Sequence, residues 1–584
     1  MPKLIILSAL LLDLCLLPVM SQASPGPHQA AIASAHPLAT AAGFEILDQG
    51  GNAFDAAIAV SATLAVVEPA GSGLGGGGFW LLKRANDGKE IIIDGRETAP
   101  LAAHEAMYLD VDGNPISQRS LDGPLAAGIP GMPAALAHLA KRYGRLPLHQ
   151  SLAPAIRHAD LGFEVSEHYL KAVKAREKIL QSFPSSAQIF LDQNATPRLG
   201  FRLVQQDLAK TLRHLGRAGH AGFYHGETAA KLVEAVRNSG GVWAREDLER
   251  YQIVERQPIV GEYQGIRIVS APPPSSGGIV LLEALNILAA FDLEQADPIT
   301  RKHLIIEAER RAYRDRDLYL GDPDFVNIPV KQLISRDYAA GLRVSIRTDR
   351  ALPSENLSAV PTLIKQGENT THLSIIDRQG NQVAATLSIN QTLGSGFVAE
   401  GTGVLLNDEM DDFAVSPGKP NAYGLVGGNA NKIEPGKRML SSMSPTFLQT
   451  ADRIGILGTP GGSRIISMVL LAVLDFAEGH GPKSWVSMPR FHHQYLPDLV
   501  EYEPGGLTEE DIRGLEKLGH ALKPIPAPYG NMQAILWNQS SGQVDAASDP
   551  RWEGLAQVAI QGFNAKSPHQ QRSGERRGLA LGKH

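Results

Sequence analysis

Asn369-Thr370-Thr371-His372-Leu373-Ser374-Ile375-Ile376-Asp377, then Arg378-Gln379-Gly380-Asn381, then Gln382-Val383-Ala384-Ala385-Thr386-Leu387-Ser388-Ile389-Asn390, is the stretch whose reading decides the fold. The residues after Thr370 form a strand candidate, 377–381 carries turn residues, and 382–390 reads as the return strand. In that return strand Val383, Ala385, Leu387 and Ile389 alternate with Gln382, Ala384, Thr386, Ser388 and Asn390. Thr386, Ser388 and Asn390 therefore project from one face. A loop with an odd number of residues, centred on Gln379, sets Thr370 opposite Ser388, with Asn390 two residues further along. A four-residue loop breaks that pairing. On residue type alone, a threonine-rich strand face without chemistry is the simpler reading.

Downstream, 453–457 is another short strand, a helix of about 15 residues begins near Ser463, and Thr508 with Asp511 forms a capping box for a further helix. Upstream, 343–367 loses periodicity and reads as an exposed connector. The region 132–325 is mostly helical, with charged amphipathic stretches such as 303–319. The alanine-rich region 37–67 has helical periodicity interrupted at Gly50-Gly51. After the glycine cluster 71–78, the apolar runs 79–82 and 91–93, joined through Asn86-Asp87-Gly88, predict a β-hairpin.

Of 584 residues, 43% are hydrophobic and 20% charged, an ordinary globular composition with ample material for a large core. A formal net charge of -6 implies no surface for polyanions, so nucleic acid is not an expected partner. Lys3, the apolar run 4–20 and Ser21-Gln22-Ala23 describe a secretory signal peptide over 1–23, which predicts a periplasmic or secreted protein. Asp13 inside the apolar run leaves an uncleaved anchor as the alternative. No other segment is long and apolar enough to span a bilayer. The single cysteine, Cys15, falls inside the signal, so thiol catalysis, disulfides and cysteine-ligated metals are excluded for the mature chain. The basic, polar tail 564–584 is expected to be disordered.

Several ordered motifs carry a resemblance. They are Asn369-Thr370-Thr371-His372, Leu440-Ser441-Ser442-Met443-Ser444-Pro445-Thr446 and Pro460-Gly461-Gly462-Ser463-Arg464, with Gly75-Gly76-Gly77-Gly78-Phe79, Arg96-Glu97-Thr98-Ala99-Pro100 and Met410-Asp411-Asp412-Phe413. Phe491-His492-His493-Gln494 and Ala547-Ser548-Asp549-Pro550-Arg551 belong to the same set. From about Pro37 to Asp549 the chain resembles the γ-glutamyltranspeptidases of the N-terminal-nucleophile hydrolase superfamily. The resemblance implies an α+β fold, a four-layer αββα sandwich. It implies a precursor cut between Asn369 and Thr370 into a large piece, 24–369, and a small catalytic piece, 370–563, that stay associated.

In such a chain Thr370 Oγ attacks the preceding carbonyl and the resulting ester hydrolyses. The freed α-amine, with a pKa of about 8 in model compounds, then serves as base for its own hydroxyl. The family's second hydroxyl, usually a threonine, falls on Ser388; serine keeps the hydroxyl and loses the methyl that limits its rotamers. By the same resemblance Arg96 grips the donor's α-carboxylate, aided by Ser441 and Ser442. Asp412, Glu409 and Asn390 receive the α-ammonium. Gly461 and Gly462 supply oxyanion amides, and Tyr423, in a lid loop over 417–438, gates the site. Donors would be glutathione and other γ-glutamyl amides, with water, amino acids or peptides as acceptors, and no metal or organic cofactor.

Other readings fare worse. Gly73-x-Gly75-x-x-Gly78 has a helical run before it and a strand after it, the reverse of a dinucleotide fingerprint. Adjacent His492 and His493 on a strand point apart, which does not suit a metal. No Gly-x-Ser-x-Gly elbow is present. A cephalosporin acylase of the same superfamily is the enzyme alternative, and an unprocessed exported binding protein the non-enzyme one.

Overall fold

The computed structural model describes residues 26–116, 118–357, 369–414 and 428–559. The signal segment, residues 358–367 of the connector, Tyr423 with half of the lid loop, and the basic tail lie outside them.

The hairpin forms the centre of the first of two large sheets. Its strands are Thr371–Ile376 and Gln382–Ser388, and Gln382 pairs with Ile376 through to Leu387 with Thr371. The loop between them is the five residues 377–381, so the register is centred on Gln379. Asp377 builds this turn. Its Oδ1 accepts the N–H groups of Gln379 and Asn381, each at 2.9 Å, and its Oδ2 accepts that of Ala53 at 2.9 Å. One carboxylate thereby ties the turn to the start of the helix Ala53–Val67. The return strand ends at Ser388, two residues short of the predicted 390, because Asn390 adopts a left-handed φ of 72° that no strand continues.

Seven antiparallel strands make this sheet, in the order Leu555–Ala559, Ala30–Ser34, Thr371–Ile376, Gln382–Ser388, Gly77–Lys83, Glu90–Gly95, Val254–Arg256. The hairpin predicted over 79–93 is present within it. The second sheet has six antiparallel strands, in the order Val544–Ser548, Gln533–Asn538, Arg453–Gly458, Thr446–Gln449, Ile266–Ser270, Ile259–Tyr263. The first sheet thus interleaves strands from before and after Thr370, and the second joins a block of four strands from after it to two from before it.

The sheets pack face to face through Phe79, Leu81, Ile376 and Ala384 on one side and Val269, Phe447, Ile456 and Ile535 on the other. Helices cover both outer faces. Against the first sheet, Ile32, Trp80, Leu373, Val383 and Leu387 meet Phe54, Ile58 and Leu64 of Ala53–Val67. Every residue of that helix is buried, which explains its alanine-rich, mostly apolar sequence. Gly51 separates it from Pro37–Asp48, and Asn52 and Asp55 cap it reciprocally. Against the second sheet pack Gly277–Leu288, Pro298–Tyr319 and Arg464–Ala477. This is the expected four-layer αββα sandwich.

Two readings change. The region 132–325 contains strands as well as helices, Val254–Arg256, Ile259–Tyr263 and Ile266–Ser270 among them. These are short, and only pairing across the chain reveals them. The helix Pro298–Tyr319 is not a solvated charged face: Glu307, Glu309, Arg310, Arg311, Asp315, Arg316 and Asp317 are all buried. Two of its arginines share one carboxylate inside, Arg310 and Arg311 on Glu307 at 3.1 and 2.7 Å. Upstream of the undescribed connector residues, Ser354 is buried and takes the Arg310 guanidinium at 2.6 Å.

Candidate active site

Thr370 immediately precedes one strand of the central hairpin and Ser388 ends the other, next in register after Leu387 and Thr371. Thr370 Oγ1 and Ser388 Oγ are 3.3 Å apart. Ser388 Oγ also donates to the Asn369 carbonyl at 3.3 Å and accepts the Asn390 N–H at 2.8 Å. A single hydroxyl thus joins a buried threonine, the carbonyl before it and the turn beyond. Asn390 Nδ2 donates to the Asp408 carbonyl at 2.9 Å, and the Asn369 side chain donates to Thr392 Oγ1.

The glycine cluster lies directly beneath. A Cβ on Gly76 would stand 2.0 Å from the Ser388 carbonyl oxygen, and one on Gly75 2.0 Å from that of Leu405. Gly77 pairs with Ser388 itself. The glycines serve close backbone approach.

In front of Thr370 is a cavity lined by Ser388, Asn390, Arg96, Glu409, Asp412, Ser441, Ser442 and Gly462. Arg96 follows the strand Glu90–Gly95 and is fully buried. It donates to Glu409 Oε2 at 2.6 Å, to Asp412 Oδ2, to Glu97 Oε2 at 3.4 Å, and to the carbonyls of Met439 and Leu440 at 3.2 and 3.5 Å. Burial works against its charge, but Glu409, Asp412 and Glu97 outweigh that and hold its pKa above the ordinary value. Burial pushes Glu409 well above the usual carboxylate range and Glu97 up to about 7, with Arg96 opposing in both. Asp408, Glu409 and Asp411 are buried and Ser120 binds Asp411 at 2.7 Å, so 408–412 is no solvated acidic turn.

Gly461 and Gly462 lie between the strand Arg453–Gly458 and the helix Arg464–Ala477, with φ of 138° and 57°. Only glycine takes the first without strain. Neither amide donates to any of the described residues, and Gly462 lines the cavity. Ser441 is fixed by its own backbone, which donates to Pro274 and accepts from Ser276, each at 2.8 Å. A second cavity reaches Thr370 from behind, past Asn369, Thr392, Glu68, Lys171 and Trp552.

A hydroxyl beside a scissile-type carbonyl, paired charges and open amides form one arrangement suited to acyl transfer. The family model described as gamma-glutamyltranspeptidase matches residues 39–559. The chain belongs to the γ-glutamyltranspeptidase family. It is 42% identical over 522 residues to a glutathione hydrolase proenzyme of Pseudomonas sp. (strain A14), covering 88% of this chain and 90% of that one. It is 40% identical over 531 residues to that of Escherichia coli (strain K12), with 90% of each covered. Among solved structures, a cephalosporin acylase from Bacillus halodurans superposes with a TM-score of 0.81 at 29% identity, covering 95% of this chain and 100% of that chain.

Within this γ-glutamyltranspeptidase fold, Arg96, Ser388, Asn390, Glu409, Asp412, Ser441, Ser442 and Gly462 line one cavity with Thr370, whereas Asp549 of the motif 547–551 holds Arg490 and Tyr423 lies outside the described residues. His492 and His493 do not join them. His492 bonds Ser467 at 2.6 Å and His493 bonds Asp498 at 3.1 Å. His303, Glu307 and His520 lie close enough to converge on a cation, but His303 Nδ1 meets His520 Nε2 at 2.7 Å and Glu307 holds two arginines.

Sequence reasoning missed two site residues. Arg316 lines the front cavity, and the sequence marks it only as one charge in the amphipathic stretch 303–319. Glu68, behind Thr370, is 8% exposed, and burial raises its pKa to about 8. Its only sequence signal was an acidic residue closing a mostly apolar helix.

Proposed function

We propose that this enzyme is a γ-glutamyltransferase and glutathione hydrolase that frees its own nucleophile by cleavage between Asn369 and Thr370. The observation that carries the reading is Ser388 Oγ at 3.3 Å from both Thr370 Oγ1 and the Asn369 carbonyl oxygen. In processing, Thr370 Oγ adds to the Asn369 carbonyl carbon, the peptide C–N bond breaks, and nitrogen takes up the proton. Water then hydrolyses the ester, leaving the Asn369 carboxylate and a free Thr370 amine. In turnover that amine accepts the hydroxyl proton as Oγ attacks the γ-carbonyl of a donor. The Gly461 and Gly462 amides face the oxyanion. The leaving amine departs with the proton, and water or an amino acid or peptide amine attacks the γ-glutamyl ester.

The charges suit the donor. Its α-carboxylate goes to Arg96, Ser441 and Ser442, and its α-ammonium to Asp412, Glu409 and Asn390. A zwitterion replaces one Arg96–Asp412 ion pair by two complementary ones. This favours γ-glutamyl donors over the acylase reading, whose substrates need no α-ammonium; so do the names of the relatives at 42% and 40% identity. Tyr423 would gate the front cavity, and the rear cavity gives leaving group and acceptor a route. The processed pieces would be 24–369 and 370–563, with export directed by 1–23. Among the described residues no helix is long and apolar enough to cross a membrane.

Gel electrophoresis with N-terminal sequencing tests the proposal. Two bands are expected, the smaller beginning at Thr370, and a single full-length band for Thr370→Ala. A smaller band with any other first residue overturns the mechanism.

A further inference from the structure

Arg96 can take an incoming carboxylate only by giving up one of its present partners. A guanidinium carries five N–H groups. Those of Arg96 face three carboxylates and two carbonyls, namely Glu409, Asp412, Glu97, Met439 and Leu440. The one guanidinium is therefore already shared among three acidic groups.

A second guanidinium opens into the same cavity. Arg316, in the last turn of Pro298–Tyr319, is 4% exposed and lines the cavity beside Ser442. Its Nε donates to Ser276 Oγ at 3.1 Å, Nη1 to Asp317 Oδ1 at 3.3 Å and Nη2 to Ser442 Oγ at 3.3 Å. Three of its five N–H groups thus meet acceptors among the described residues, two of them neutral hydroxyls. Its one carboxylate neighbour is a weak counter-charge: burial raises Asp317 to about 7 against the pull of Arg316, and Asp317 Oδ2 has no hydrogen-bond partner among the described residues. Ser276 in turn donates through Oγ to the Ser441 carbonyl at 2.8 Å, so Arg316 is locked to the Ser441-Ser442 turn from both sides.

We propose that Arg316 is a specificity-determining residue for the donor, a second guanidinium that binds the α-carboxylate between itself, Ser442 and Arg96. The assignment rests on the γ-glutamyl reading of the cavity. Arg96 then divides its charge between donor and acids, and Arg316 supplies the positive charge that the acid-rich side lacks. A fork with two N–H groups unmatched among the described residues suits a carboxylate.

The test compares two donors, γ-glutamyl-p-nitroanilide and the same anilide with its α-carboxylate converted to a primary amide. In Arg316→Gln, KM for the acid donor is expected to rise about 30-fold, as for loss of a hydrogen bond to a charged group. KM for the amide donor should stay within about twofold, because the lost partner is the carboxylate. Arg316→Lys keeps the charge without the fork, and should give an intermediate acid-to-amide ratio; it carries the test if the glutamine variant does not fold or process. An acid-to-amide ratio unchanged from wild type overturns the role of Arg316. Wild-type protein that turns over neither donor overturns the γ-glutamyl reading itself, and this assignment with it.

Discussion

Ser388 Oγ lies 3.3 Å from Thr370 Oγ1 and hydrogen-bonds the carbonyl of the residue before it. It is therefore placed to steady both the attacking oxygen and the group attacked. Ser388→Ala should fold but convert from full length to two pieces about 100-fold more slowly, a typical loss for a positioned proton-handling group. Ser388→Thr should process at near wild-type rate. A time course of the full-length band reads this, and an alanine variant that matches wild type removes Ser388 from the mechanism.

Asp412 is bound to Arg96 in the absence of donor, and its side chain is 15% exposed at the cavity. Asp412→Asn removes the negative charge offered to the α-ammonium while leaving Glu97 and Glu409 on Arg96. Processing should continue, and kcat/KM for a γ-glutamyl anilide should fall between about 10- and 200-fold, the equivalent of one charged hydrogen bond. Unchanged donor kinetics would assign Asp412 to Arg96 alone.

Gly458 packs against the imidazole of His372, where a Cβ would stand 2.3 Å from Cε1. Thr386 at 2.9 Å and Ser374 at 3.2 Å hold that ring, so it cannot swing aside. Gly458→Ala should cost about 1–3 kcal/mol in urea denaturation, as overpacking does. Gly455, in the same strand, has its nearest neighbour at 3.4 Å, and Gly455→Ala should cost far less. Equal losses would mean the strand, not the ring contact, sets the cost.

His372 also gives a pH dependence. Burial lowers its pKa from 6.5 to about 3, so the native state holds it neutral where the unfolded chain already binds a proton. Its contribution to stability is complete above about 6.5 and is lost as the pH falls towards 3. His372→Gln should therefore show a shallower decline in stability between those limits than wild type. Parallel decline in both proteins would assign the acid lability to other groups, such as His36 or His493, which burial lowers in the same sense.

The sequence revealed most where a feature was local. The turn at 377–381, the capping box at Thr508 and the break at Gly50-Gly51 follow from neighbouring residues, and the register of Thr370 with Ser388 follows from the length of one loop. Arg316 did not emerge, because a run such as Arg310-Arg311-Ala312-Tyr313-Arg314-Asp315-Arg316-Asp317 has the composition of a solvated helix. Only Ser276 and the Ser441-Ser442 turn, far apart in sequence, enclose it. The strand Val254–Arg256 was hidden for a similar reason: it is three residues long and exists by pairing with Glu90–Gly95.

The central hairpin is held between Ala30–Ser34 and Gly77–Lys83, both from before Thr370, and Leu555–Ala559 returns to pair with Ala30–Ser34. If the chain is cut ahead of Thr370, its two parts are braided, and parting them means tearing both sheets. Reassembly would require two separate molecules to meet and thread strands between one another, where the uncut chain did so within itself. The enzyme would then be made once: its working life would depend on how slowly the braid opens, and heat or denaturant would end it rather than pause it.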